Sequence, residues 1–321
     1  MRNLLLCLVA VAALCGQSYS AAGSFPDRPV EAVVAWAPGG GSDLVFRAMA
    51  QVFPKYANGQ PLLIKNIPGA AGVPGVVEFM KARPDGYTVA HWADAQTIKT
   101  HMSETPFTTT EFVPIAGIVD DNFYILVAAD SPFKNLGDLI AQAKKEPGEL
   151  TMGNAGVGGG SNMAQIQFER FAGIETNQVP FQGGGPMLNG LMSGQVESAS
   201  QVVPEGSNNI KNGQIRILGI FSKERHPLFP DSPTAREQGI DLVINQIRGV
   251  VAPTGTPPEI ADRLEEIFRQ VTEDAEFRAS IAAIGSNVAF LTAKEYAANL
   301  AETDKMYKDV IIANKLGDKY K

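Results

Sequence analysis

Cysteine is nearly missing from this chain. Its two residues, Cys7 and Cys15, both fall in an apolar leader at the amino terminus. Beyond that leader the sequence offers no disulfide, no thiolate nucleophile and no cysteine metal site. Histidine is scarce as well: only His91, His101 and His226 occur, and none has companion ligands at metal-binding spacing. His91 and His101 read as structural or surface residues. Basic clusters are also lacking. Without the leader, which carries the single charge of Arg2, 26 basic residues face 34 acidic ones, a net of −8. That balance argues against nucleic acid or an anionic membrane as partner. A nucleotide has no obvious seat. No lysine occurs before Lys55, so the first glycine loop cannot be a P-loop, and its G-x-G-x-x-G pattern fails at Leu44. G-x-S-x-G is absent too.

Long apolar runs are confined to residues 4–15, about half the length that spans a bilayer. The stretch "MRNLLLCLVAVAALCGQSYSAAGSF" has a positive start at Arg2, an apolar centre, and small residues at Ser18, Ser20 and Ala22. It reads as an export signal over residues 1–22, with cleavage after Ser20 or after Ala22. A lipid anchor at Cys15 is the rival reading, opposed by the bulk of Leu14. The expectation is an exported, soluble, periplasmic protein without a bound cofactor or metal.

What the chain has in abundance is glycine, 32 residues. Short β-rich runs at 31–36, 61–65, 87–90, 124–129, 150–153, 178–181 and 215–221 alternate with helical runs at 43–53, 73–82, 136–145, 162–172 and 185–192. This alternation predicts an α/β fold with a parallel sheet, and the length suggests two domains. The tail predicts two or three amphipathic helices, opened by Pro257-Pro258 and by a capping box at Thr292 and Glu295, and ended by Gly285 and Gly317. Glycine gathers where strands hand over to helices, at 38–43, 68–75, 156–161 and 183–186. In open parallel sheets such loops meet beyond the carboxyl ends of the strands, where ligands sit. Free N–H groups at a helix start attract a carboxylate as readily as a phosphate. A shared site for a small anion is therefore expected there.

The segments "FPDRPVEAVVAWAPGGGSDLVFRAMAQ", "NIPGAAGVPGVVEFMKARPDGYTV", "GNAGVGGGSNMAQIQFERFAG", "VPFQGGGPMLNGLMSGQVE" and "GVVAPTGTPPEIADRL" occur in this order. Together they resemble the extracytoplasmic solute receptors of tripartite tricarboxylate transporters, the Bug-type binding proteins, over the whole chain from Phe25 on. The resemblance implies a type II-like periplasmic binding protein of two α/β domains with a Venus-flytrap cleft. One domain would be discontinuous, 23–122 plus 224–321, and the other would be 123–223. It also implies capture of a small carboxylate without chemistry, and delivery by a monomer to a permease of one large and one small membrane subunit.

In that resemblance Gly40, Gly41, Ser42 and Asp43 form one wall of the pocket, and Gly159, Gly160, Ser161 and Asn162 the other. Ala71 and Gly72, from the second glycine turn, complete the first side. Asp43 is expected to cap its helix or bind loop N–H groups rather than meet an anion. Several positions depart from the family pattern. Gly159 replaces a serine, Asn162 a histidine, Phe181-Gln182 a Tyr-Lys pair, Gln201 an aspartate and Arg248 an aromatic residue. Gln201 disfavours an amino acid, since a buried ammonium would lack a charge partner. Arg248 reads either as a surface salt-bridge residue or as a bidentate clamp on a second carboxylate. Trp36, Trp92 and Phe181 read either as packing residues or as aromatic walls. The expected ligand is thus a dicarboxylate or an aromatic carboxylate. A receptor feeding a sensor kinase and an enzyme acting on a carboxylate stand as alternatives; with Asn162 in place of a histidine, the enzyme lacks a general base.

Overall fold

A computed structural model describes residues 25–320, so the leader expected over residues 1–22 lies outside the described residues. The chain enters a sheet at β1 (Val30–Val34), whose valines and alanine are buried while Glu31 reaches the surface. Helix α1 (Gly41–Val52) follows the first glycine loop. Then come β2 (Leu62–Asn66), α2 (Val73–Phe79), β3 (Thr88–Trp92) and α3 (Asp94–Met102). Strand β4 (Phe112–Ala128) is 17 residues long and leads to α4 (Leu136–Lys145). Next are β5 (Thr151–Asn154), α5 (Gly160–Ala172), β6 (Asn177–Pro180), α6 (Gly184–Met192), β7 (Ser198–Val202), α7 (Ser207–Lys211) and β8 (Ile215–Ile220). Strand β9 (Asn245–Pro253) returns the chain. After it come α8 (Pro258–Glu273), α9 (Ala275–Ala283), β10 (Val288–Leu291) and α10 (Ala293–Ala313).

The strands join in the order β2-β1-β3-β9-β4-β7-β5-β6, with β8 and β10 also on β4. The expected parallel sheet is found only at the two ends. The pairs β1–β2, β1–β3, β5–β6 and β5–β7 are parallel, while β9 and β4 run antiparallel to each other and to their other neighbours. The reason is connectivity. Helical crossovers return the chain in the same direction, but β4 and β9 carry it from one half of the sheet to the other and back. Residues 112–122 of β4 pair with β9, and residues 123–128 pair with β7 and β8.

Apolar burial follows the same halves. One cluster gathers Phe46, Phe53, Ile118, Leu264 and Phe268 under α1 and α8, and another gathers Phe123, Leu139, Met152, Phe168 and Phe221 under α4 and α5. A smaller one joins Ile98, Met102, Tyr307 and Ile311 to Met163 and Ile166 of α5. Helix α8 is held by a one-sided stripe, Ile260, Leu264, Ile267, Phe268 and Val271, spaced at three and four residues. The tail expectation of two or three helices is met by α8, α9 and α10, and Thr292 and Glu295 form the capping box.

Candidate functional site

Two loops of the same build open α1 and α5. Residues 39–43 read Gly-Gly-Gly-Ser-Asp and residues 158–162 read Gly-Gly-Gly-Ser-Asn. Gly39 has φ +83° and Gly158 φ +73°, a left-handed turn that only glycine takes without strain. The next glycine is the cap, Gly40 at φ −75°, ψ 164° and Gly159 at φ −80°, ψ 164°. The fifth residue reaches back to the first. Asp43 Oδ2 accepts from the Gly39 N–H at 2.8 Å, and Asn162 Oδ1 accepts from the Gly158 N–H at 3.0 Å.

Each loop is locked from behind. Asp43 also accepts from Arg47 Nε at 2.8 Å and Asn66 Nδ2 at 2.9 Å. Burial raises the Asp43 pKa, but these donors outweigh it and leave the carboxyl below its ordinary range. Asp43 therefore binds its own loop, as the sequence suggested. Asn162 donates to Gln178 Oε1 at 3.0 Å, and Ser161 Oγ accepts from the Ala155 N–H at 2.9 Å. With side chains holding the loops, the N–H groups of Gly41, Ser42 and Asp43, and of Gly160, Ser161 and Asn162, have no acceptor among the described residues. Each set is the positive end of a helix.

Both helix starts face β9. A Cβ placed on Gly41 would lie 3.2 Å from Arg248 Nη2, and one on Gly160 would lie 2.9 Å from the Gln246 side-chain amide. Gln246 and Arg248 are two residues apart and share one face of the strand. With its amide oxygen turned toward Arg248, Gln246 accepts from Nε and Nη2 at 3.2 Å each. The start of α6 joins them: a Cβ on Gly184 would lie 2.5 Å from Glu205 Oε2 and 2.6 Å from Gln201 Nε2. Gln201 is buried, its oxygen accepts from the Val202 N–H at 2.8 Å, and its Nε2 has no acceptor among the described residues.

Arg248 departs from both readings of the sequence. It is 2 % exposed and forms an ion pair with Asp121 of β4, which is wholly buried and also accepts from the Ser286 hydroxyl. A strand pair that crosses the sheet brings this arginine under the site instead of leaving it at a surface or free to clamp a ligand. Burial lowers the Arg248 pKa to about 10, so the guanidinium stays charged at neutral pH. Nearby, burial and the charge of Arg248 hold His91 down to about 3, which keeps it neutral. Burial pushes Asp94 up to about 7 against the 2.6 Å hydrogen bond from the Tyr307 hydroxyl.

Of the two readings of the aromatics, packing is the one that Trp92 and Phe181 take. Trp92 is a core residue: it packs on Phe107 and Phe112, and its Nε1–H donates to Thr97 Oγ1 at 3.1 Å. The Phe181 ring lies on the backbone of Gly153 and Gly190, within the apolar cluster under α6. Only Trp36 stays beside the first loop, half-buried against the core below it. Gln182 is exposed. Ala71 and Gly72 form a left-handed turn before α2, with Gly72 set against Ala35 and Gln96. Among the described residues no cluster of His, Cys, Asp and Glu could hold a metal. Sequence reasoning passed over Gln246, Glu205 and Asp121. For Gln246 a signal was present: Gln246 and Arg248 are polar at alternate positions of a strand that is apolar or glycine from Gly249 on.

A family profile described as "Tripartite tricarboxylate transporter family receptor" matches residues 45–316. A protein from the gbd 5' region of Cupriavidus necator is 31% identical over 303 residues, covering 92% of this chain and 90% of its own. A TctC solute-binding protein from Polaromonas, solved without ligand, is 31% identical with a TM-score of 0.75, covering 91% of this chain and all of the other. MatC from Rhodopseudomonas palustris, solved with bound malate, is 26% identical with a TM-score of 0.78 over 89% of this chain and 100% of its own. The periplasmic binding protein BugD is 25% identical with a TM-score of 0.80, over 91% and 99%.

Proposed function

The chain belongs to the tripartite tricarboxylate transporter receptor family, and from that premise we propose that it captures a small dicarboxylate between the starts of α1 and α5. The observation that carries this reading is the pair of matched loops. Each presents three N–H donors, held open by Asp43 or Asn162, toward the same face of β9. A helix start stabilises an anion by about 0.3–2 kcal/mol, so two of them suit a ligand with a carboxylate at each end. Malate in the related MatC supports the class. An aromatic carboxylate is the weaker choice, because the Trp92 and Phe181 rings are spent on the core.

On this reading Gly41, Ser42, Gly160 and Ser161 contact the ligand through backbone and hydroxyl donors, and Gly40 and Gly159, whose N–H groups stay bonded within their loops, let it approach closely. Asp43 and Asn162 shape the loops. Gln201 offers its unpartnered amide, and Arg248 supports the floor. Trp36, Ala71, Gly72, Phe181 and Gln182 border the site. The chain divides into 23–122 plus 224–321 and 123–223, which close on the ligand about β4 and β9. The exported monomer then delivers it to the large and small permease subunits without chemical change. The test is calorimetry with malate, succinate, benzoate, glutamate, ATP and NAD. One-to-one binding of malate or succinate is expected, and ligand at a hundred times its Kd stabilises the fold by about 2.7 kcal/mol. Binding of ATP or NAD without any carboxylate would refute it.

A further inference from the structure

Glu205 stands in the turn between β7 and α7, and the carboxylate reading does not use it. Its side chain lies between two helix starts. Oε1 is 3.4 Å from a Cβ placed on Gly41, and Oε2 is 2.5 Å from one placed on Gly184. The residue is largely buried yet keeps some accessible surface. No ion pair or hydrogen bond reaches its carboxylate from any described residue, and burial is the sole influence on it. Arg248, which approaches the same Gly41 position, is engaged with Asp121 and Gln246. Gln201 Nε2, also unpartnered, points to the same place at Gly184.

An anionic ligand on the start of α1 would therefore arrive beside a second carboxylate in a desolvated gap. Two such groups in contact cannot both stay ionised; they share a proton. We propose that Glu205 makes capture proton-linked: as a ligand carboxylate settles against Gly41 and Ser42, Glu205 takes one proton from solvent and donates its O–H to that carboxylate. No other bond forms or breaks. This rests on the carboxylate function proposed above. Burial alone already brings the Glu205 pKa to about 7, so the proton is available at neutral pH.

The groups facing Glu205 do not supply the same behaviour. Arg248 and Asp121 are paired, and Gln201, Gly41 and Gly184 carry no charge. The Tyr124 hydroxyl donates to the Glu205 carbonyl at 3.1 Å, and its pKa is raised far above its ordinary value by burial and by Glu205. Asp94, at about 7, titrates in the same range but faces Arg248 and Tyr307, so Asp94→Asn serves as the control.

Calorimetry with malate and succinate, in buffers of different ionisation heat, reads the proton directly. Uptake should rise from near zero at low pH toward one proton per ligand above pH 7, where Kd should weaken about tenfold per pH unit. Glu205→Gln should abolish the uptake and flatten the pH dependence, whereas Asp94→Asn should leave both in place. In the free wild-type protein with carbon-13 in glutamate side chains only, one carboxyl should titrate near 7 and move upward when malate is added. Proton release, or affinity that tightens with pH, would mean an ionised Glu205 meets a donor on the ligand and overturns the proposal. Flat affinity in the wild type also overturns it while leaving the carboxylate function standing. If malate, succinate and benzoate all fail to bind at every pH, the function itself fails and this inference with it.

Discussion

Replacing Arg248 by Met should strand a buried carboxylate at the centre of the sheet and cost several kcal/mol of stability, about 3–5. Arg248 is 2 % exposed, and its partner Asp121 has no accessible surface. The substitution leaves Asp121 with only the Ser286 hydroxyl, and orphaning one member of a buried pair costs about 3–5 kcal/mol. Asp121 can escape part of that by taking a proton, which costs about 1.4 kcal/mol for each pH unit between its new pKa and the solution. The loss should therefore be smaller at pH 5 than at pH 8. Asp121→Leu orphans the arginine instead, and an arginine cannot discard its charge, so its cost should hardly change with pH. The double variant leaves no stranded charge and should fall well short of the sum of the two losses. Urea unfolding at pH 5, 7 and 8 measures all three. Single variants within about 1 kcal/mol of wild type, or strictly additive losses, would refute the claim that this pair is held as a unit.

Gly40 has φ −75°, and a Cβ there meets only the Ala37 carbonyl at 3.5 Å, so Gly40→Asp should fold normally. Its charge at the helix start should abolish carboxylate binding by calorimetry; micromolar affinity would remove the loop from the site. Asp43→Ala frees Gly39 and Asn66 and should cost about 2 kcal/mol in urea unfolding. Because the Asp43 pKa is lowered on folding, that contribution is present above its unfolded value and is lost as pH falls through the folded one. Asp94 has the opposite sign. Its pKa rises to about 7, so its ionisation opposes folding increasingly from about pH 4 to pH 7. Asp94→Asn should gain on wild type across that window, by at most about 4 kcal/mol. A constant difference between the two proteins would disprove the shift.

Both glycine loops and most of the strands and helices around them were legible in the chain, because each depends on neighbours in sequence, whereas α3, α7, β7, β9, β10 and the first half of β4 were not read. Helix α4 (Leu136–Lys145) follows from its apolar spacing, and α10 from its capping box. Gly39 and Gly158 announce left-handed turns that few other residues take. Asp43 was readable as a loop-binding residue because one of its partners lies four positions back. The charged partner of Arg248 was not readable. Asp121 lies 127 positions away, in the stretch Asp120-Asp121-Asn122, whose polarity resembles a turn. It is strand only because β9 pairs with it and Arg248 neutralises it. Trp92 and Phe181 could not be assigned to core or pocket, since flanking a glycine loop says nothing of which side of the sheet a ring occupies. Glu205 is a single acid in an acidic chain, and nothing local marks it. Its place between Gly41 and Gly184 comes from joining two helix starts 143 positions apart, and burial, which sets its proton affinity, exists only once those helices have packed.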